Sequence, residues 1–306
     1  MLLEIAIGDA YGAGFEFCDR DKIILSNTLA GYVPHELGIE AGHYTDDTQM
    51  SMAVSEVLLS QADLSSNAFA DAFVQCYKRD PRKGYAKGLQ ELLHGCENGA
   101  AFRRRIRPES RRNGAAMRSV PLGLISDKRE LARAAHEQAV VTHDTIEGRL
   151  SSHVVALMAH FLLYDHAALI DLPALIKQET GFELVCDWDS EVECDAMQTI
   201  HAVNTALLRN RGMSTLLRDC VNFGGDVDSV AAIAMGIASL SPEYASDVPQ
   251  SLVNELEDGA YGKGFLAQLD LALAKKFPAL ADCIGILLPS MGGASIPHPS
   301  LLSPKQ

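Results

Sequence analysis

Val221-Asn222-Phe223-Gly224-Gly225-Asp226-Val227-Asp228-Ser229 runs directly into Val230-Ala231-Ala232-Ile233-Ala234-Met235-Gly236-Ile237-Ala238-Ser239-Leu240. In the second half Val230, Ile233, Ala234 and Ile237 recur at helical spacing and mark one apolar face. The first half is a polar turn that opens that helix. The pattern repeats at 45–59, where Thr45-Asp46-Asp47-Thr48 precedes Met50, Ala53, Val54, Val57 and Leu58 on one face. A third apolar face is formed by Val154, Leu157, Met158, Phe161 and Leu162. Alternation over five or more residues is hard to find, although short pieces such as Phe182–Val185 suit a strand. An Ala- and Leu-rich background favours helices, so the sequence predicts an all-α fold. Breaks carrying Pro or Gly fall near 31–45, 80–88, 107–114, 121–127, 241–250 and 288–300. None resembles a flexible linker, so a single domain over 1–306 is expected, with a loose Gly-, Ser- and Pro-rich tail at about 289–306.

With 47% hydrophobic and 22% charged residues, the 306-residue chain has a folding composition rather than a disordered one. Its formal charge of −14 argues against nucleic acid as a partner, because phosphates would be repelled. A phosphate-bearing ligand would need metal ions, helix N-termini or a local basic patch to offset that repulsion. Seven cysteines, an odd number with no CxxC pair, suggest free thiols in a reducing compartment. The apolar runs near 154–163 and 230–240 are too short to span a bilayer, and no basic region precedes the first apolar residues. The expectation is a cytoplasmic protein with no membrane partner.

Two clusters carry chemistry. Thr45-Asp46-Asp47-Thr48 can be an N-cap, but four oxygen-bearing residues exceed what one cap needs, and adjacent carboxylates repel unless a cation neutralises them. Gly224-Gly225-Asp226-Val227-Asp228-Ser229 can be a capped glycine turn, or can aim two carboxylates and a hydroxyl at one hard divalent ion. If the two turns meet, four Asp side chains could hold two Mg²⁺ ions, a site able to polarise a leaving oxygen and activate water.

Three further segments are weaker. Gly8-Asp9-Ala10-Tyr11-Gly12-Ala13-Gly14-Phe15-Glu16 begins as an apolar helix that its glycines are expected to break; it can serve close packing, a phosphate loop, or placement of Glu16 in a pocket. Asn113-Gly114-Ala115-Ala116-Met117-Arg118 starts with a turn signal, downstream of Arg103, Arg104, Arg105, Arg107, Arg111 and Arg112. That basic run is a solvated surface, or a means of steering an anionic substrate or binding an acidic partner. Thr142-His143-Asp144 offers a histidine suited to a phosphate or ribose, or to a structural hydrogen bond.

In this order the five segments resemble the ADP-ribosylglycohydrolase family, ADP-ribosylhydrolases of the dinitrogenase reductase activating type. The resemblance implies a compact, orthogonally packed helical domain with a binuclear Mg²⁺ or Mn²⁺ centre. By motif position it implies Thr45, Asp46, Asp47, Asp226, Asp228 and Ser229 as metal ligands, and Glu16, Asp46 and Asp47 as catalytic groups. Asn113, Gly114, Ala115, Met117, Arg118, His143, Gly224 and Gly225 would line the ADP-ribose cleft. The implied reaction is hydrolysis of the bond between ADP-ribose and a modified acceptor, on protein or in a small ADP-ribosyl compound, with arginine favoured. An inactive ADP-ribose-binding protein and a binuclear-metal phosphohydrolase are the alternatives. The chain departs from the family in having Ser229 where Thr is usual and Arg112 where Gly usually precedes Asn. Thr145 and Ile146 replace a proline, and Ser239-Leu240-Ser241-Pro242 replace a Gly-rich continuation.

Overall fold

The computed structural model describes residues 1–60 and 62–284. The tail expected at 289–306 and the break at 288–300 lie outside them. Among the described residues there is no strand, and 182–185 is irregular; only isolated bridges occur, such as Val192 with Gly225. The helices, in chain order, begin with α1 (Leu2–Ala13), α2 (Arg20–Ser26), α3 (Asp46–Leu59), α4 (Ser66–Arg79) and α5 (Lys87–Gly95). Then come α6 (Gly99–Arg105), α7 (Lys128–Ala139), α8 (Ile146–Tyr164), α9 (Leu172–Thr180) and α10 (Ala196–Arg209). The last five are α11 (Met213–Asn222), α12 (Val227–Ala238), α13 (Gln250–Glu255), α14 (Lys263–Lys276) and α15 (Ala281–Ile284). Short 3₁₀ turns occupy 113–115 and 120–124. No described helix is long and apolar enough to cross a membrane.

The pair α1–α12 forms the centre, with α3, α10, α11 and α14 packed around it. Both central helices are buried along their whole length. This corrects the one-faced reading of 229–240: a helix apolar all round belongs in the interior. For 8–16 the expected helix break is corrected, while the close-packing reading holds. Gly8 and Gly12 do not break α1, which is continuous from Leu2 to Ala13. They stand four apart on one face and admit the backbone of α12. A Cβ at Gly8 would lie 2.5 Å from Ala231 O, and one at Gly12 would lie 2.4 Å from Asp228 Cα. Two helix-interior glycines cost roughly 0.5–1 kcal/mol each relative to alanine; the close approach they permit offsets that through packing of α1 against α12.

Helix starts are held by carboxylates from other helices. The first N–H groups of α1, those of Leu2 and Leu3, donate to Asp270 of α14. Local caps serve elsewhere: Asp127 on α7, Thr145 on α8 and Asp195 on α10. No disulfide joins the cysteines among the described residues.

Candidate metal centre

The start of α3 is built from α1. Asp9, fully buried, accepts from Thr45 N and Thr48 N at 2.9 Å, from Thr48 Oγ1 at 2.6 Å and from Thr45 Oγ1 at 2.7 Å. One carboxylate from a neighbouring helix thus does what a local cap would do. Thr45 turns its hydroxyl to Asp9 and does not line the cleft. Asp46 and Asp47 are left to face the cleft. Asp47 is buried, and its Oδ1 has no hydrogen-bond partner.

The start of α12 is built from a glycine turn. Gly224 and Gly225 have φ of 79° and 83°, the left-handed region that favours glycine. Val192 N donates to Gly224 O, Asp226 N to Val192 O and Phe17 N to Gly225 O. A Cβ at Gly225 would fall 2.0 Å from Val192 O. The two glycines therefore shape the turn and do not line the cleft. Beyond them Asp226 accepts from Asn113 Nδ2 at 2.9 Å, and Ser229 lines the same cavity as Asp47.

These two turns, about 180 residues apart in sequence, open on one cavity of about 300 Å³. Carboxylate oxygens of Asp9, Asp47 and Asp228 lie within 4.8 Å of one another, as do those of Glu16, Asp226 and Asp228. Burial raises the Asp46, Asp47 and Asp228 carboxyls well above the usual range. Nearby negative charge adds to this, from Asp9 on Asp46 and Asp47 and from Glu16 on Asp228. Such a group must retain protons or hold a cation. Oxygen-only donors, a hydroxyl beside them and an unpartnered buried carboxylate oxygen suit a hard divalent ion.

The remaining wall comes from the 113–118 loop and the 142–143 pair. Asn113, Gly114, Met117, Arg118 and His143 line the cavity, whereas Ala115 is buried behind it and gives its carbonyl to Gln138. Arg118 is fully buried; it donates to Gln138 and to Thr142 Oγ1 and lies 4.3 Å from the Phe73 ring centroid. Burial lowers its pKa to about 9, and its Nη1 has no partner. Because Thr142 Oγ1 accepts from Arg118, its hydrogen is free to donate to His143 Nδ1 at 2.6 Å. With Thr142 donating, His143 carries its ring hydrogen on Nε2, the arrangement that leaves a donor facing the cleft. Burial, then the charges of Arg118 and Arg112, lower its pKa to about 3, so it is neutral.

Glu16 also lines the cavity and is held by a residue the sequence did not flag. His35 Nδ1 accepts from Leu37 N at 2.8 Å, so Nε2 donates to Glu16 Oε2 at 2.6 Å. Asp9 and Cys194 were likewise missed. A lone Asp inside an apolar helix is the signal that could have found Asp9, since a buried carboxylate needs donors; nothing local marks His35 or Cys194. Of the six arginines at 103–112, only Arg107 and Arg112 reach the cavity.

Comparison with known proteins agrees with this architecture. The family model described as ADP-ribosylglycohydrolase matches residues 1–282. The ADP-ribosylarginine hydrolase Tri1 of Serratia proteamaculans (strain 568) is 24% identical over 277 residues, covering 83% of this chain and 74% of that protein. The ADP-ribosyl-[dinitrogen reductase] glycohydrolase of Rhodospirillum rubrum is 26% identical over 271 residues, covering 83% and 88%. A solved ADP-ribosylglycohydrolase-related protein complex superposes with a TM-score of 0.68 at 25% identity, covering 90% of this chain and 95% of that one.

Proposed function

The chain belongs to the ADP-ribosylglycohydrolase family, and from that premise we propose that it hydrolyses the glycosidic bond linking ADP-ribose to arginine on a modified protein. The observation that carries this reading is the convergence of the 45–48 and 224–229 turns on one buried carboxylate cluster beside a cavity. The same linkage is named for the Serratia relative. A cytoplasmic setting suits a chain with an odd number of cysteines and no CxxC pair.

Asp46, Asp47, Asp226, Asp228 and Ser229, with Thr45 behind them, would hold two Mg²⁺ or Mn²⁺ ions, which when bound supply Lewis-acid polarisation and a lowered water pKa. The protein's own groups then divide the work. Arg107 and Arg112 at the rim and Arg118 Nη1 on the wall meet the diphosphate, offsetting the chain's negative charge. Gly114 leaves room for the His143 ring on the cleft wall, since a Cβ there would lie 2.7 Å from His143 Cε1. His143, neutral with its proton on Nε2, donates to a phosphate or ribose oxygen. Glu16, oriented by His35, or Asp47 moves the proton from water or to the leaving nitrogen. The surrounding carboxylates stabilise the oxocarbenium-like transition state.

The test is Asp46→Ala and Asp226→Ala, assayed on ADP-ribosyl-arginine peptides with Mg²⁺ or Mn²⁺ and with EDTA. Loss of turnover, weakened Mn²⁺ binding, and free ADP-ribose as the wild-type product are expected. Full activity in both variants overturns the reading. Release of phosphate or AMP would indicate a phosphohydrolase, and binding without turnover an inactive ADP-ribose-binding protein.

A further inference from the structure

The arginine run at 103–112 is only partly used by the cleft. All six of its arginines are exposed, in a chain of net charge −14. Residues 103–149 contain eleven Lys and Arg against six Asp and Glu, a local excess of five positive charges, so the rest of the chain carries −19. Some of these cations are tied down: Arg111 to Glu147 at 2.7 Å and Arg149 to Asp144 at 3.2 Å. Arg104, Arg107, Arg112 and Arg129 have neither ion pair nor side-chain hydrogen bond among the described residues.

The relief of the surface connects two of these cations, Arg103 and Arg149, to the cleft. A second cavity of about 360 Å³ lies between the end of α6, the end of α7 and the start of α8, with Arg103, Ile106, His136 and Arg149 in its walls. Ile106 also lines the cleft. A third cavity of about 310 Å³ continues along α7 and α8 and shares His136 and Arg149. Ile146, 73% exposed, stands beside it. The cavities form one track leading away from the cleft mouth between Arg107 and Arg112.

We propose that this track docks the acidic polypeptide segment that flanks the ADP-ribosylated side chain of the substrate protein. The proposal rests on the hydrolase reading above. A cavity of about 300 Å³ admits a nucleotide-sized group, so the chain of a protein acceptor must pass over the rim, where the track begins. Its chemistry fits peptide better than nucleic acid. Asp144 and Glu147 interrupt the positive charge, and Ile106, Pro108 and Ile146 present apolar surface. A phosphate backbone carries a negative charge at every nucleotide and has no apolar group to set on Ile106, Pro108 and Ile146; a peptide can alternate carboxylate and apolar side chains. The opposite charge of the remaining surface turns an acidic partner toward this face.

The experiment compares three substrates: free ADP-ribosyl-arginine, a peptide with Asp and Glu around the modified arginine, and one with Ser and Gly there. At low ionic strength the acidic peptide should be cleaved with kcat/KM about ten-fold above the neutral one. In Arg103→Gln/Arg149→Gln that preference should vanish while free ADP-ribosyl-arginine turns over as before. The single variants, each expected to lose part of the preference, carry the test if the double variant does not fold. Wild-type cleavage of free ADP-ribosyl-arginine with equal kcat/KM for both peptides overturns the docking track and leaves the hydrolase standing. Absence of turnover on all three substrates overturns the hydrolase reading itself. Inhibition of peptide cleavage by a single-stranded oligonucleotide more strongly than by poly-glutamate overturns the choice of a peptide occupant.

Discussion

Gly12→Ala is the sharpest single test of the packing that positions the metal centre. The added carbon would sit 2.4 Å from Asp228 Cα and 2.8 Å from both Asp228 N and Val227 O. Carbon atoms prefer about 3.5–4.0 Å, so α1 and α12 must part by roughly 1 Å. No flexible side chain can absorb the shift, because every one of these contacts is backbone. Overpacking costs about 1–3 kcal/mol in well-packed cores, and a backbone clash belongs at the upper end; the helix-propensity gain returns about 0.5–1 kcal/mol. The net loss is about 2 kcal/mol, a few degrees in Tm. The functional loss should be larger, because Asp228 moves with its helix and a 1 Å misplacement costs about 100-fold in rate. Gly88 in α5 is the control: a Cβ there meets nothing within 4 Å, so Gly88→Ala should be neutral or stabilising by up to about 1 kcal/mol. Thermal unfolding, Mn²⁺ titration and turnover of both variants decide the matter. A Gly12→Ala protein with wild-type Tm and undiminished Mn²⁺ affinity would refute the close approach of the two helices.

Asp9→Ala strands two backbone N–H groups and two hydroxyls, so chemical denaturation should show a loss of at least about 3 kcal/mol; a loss below 1 kcal/mol would contradict the capping role. Gly225→Ala, with its Cβ 2.0 Å from Val192 O and φ of 83°, should abolish Mn²⁺ binding measured by calorimetry even where the protein folds. The metal-free protein should gain stability as pH is lowered from neutral toward about 5. Asp46, Asp47 and Asp228 are raised above their usual value of 3.8. Stability from their protonation is present below that value and is lost as pH rises through the folded values. His143, lowered to about 3 from 6.5, works in the opposite sense below pH 6.5, as do His153, His160 and His201, which burial also lowers; against these four stand six raised carboxyls, the three above with Asp9, Glu56 and Asp270. Saturating Mn²⁺ should raise Tm most at the alkaline end and flatten the slope; a metal-free Tm that climbs with pH would count against the buried cluster.

Much of this was legible in the sequence because its signals are local. The helices at 46–59, 146–164 and 227–238 follow from apolar spacing, and both acidic turns from oxygen-bearing residues in a row. What was not legible depends on residues far apart in the chain. The glycines at 8 and 12 read as helix breaks or as close-packing positions; the packing reading holds, but its partner, α12, is more than 200 residues away and could not be named. Thr45 read as a ligand and a cap, yet its hydroxyl answers to Asp9 on another helix. Arg118 read as a cleft-lining residue; its full burial depends on Gln138, Thr142 and Phe73, which no periodicity links to it.

The central pairing of α1 with α12 also sets a schedule for synthesis. The two segments, 2–13 and 227–238, are separated by most of the chain. At about 5–20 residues per second, an apolar helix made first must wait roughly 10 to 45 seconds for its partner to be translated. During that interval α1 has no packing surface for its glycine face. Such a nascent chain should engage holding chaperones early, and a ribosome stalled before residue 227 should display a protease-sensitive amino-terminal segment. Divalent-ion binding would then serve as a readout that α12 has reached α1.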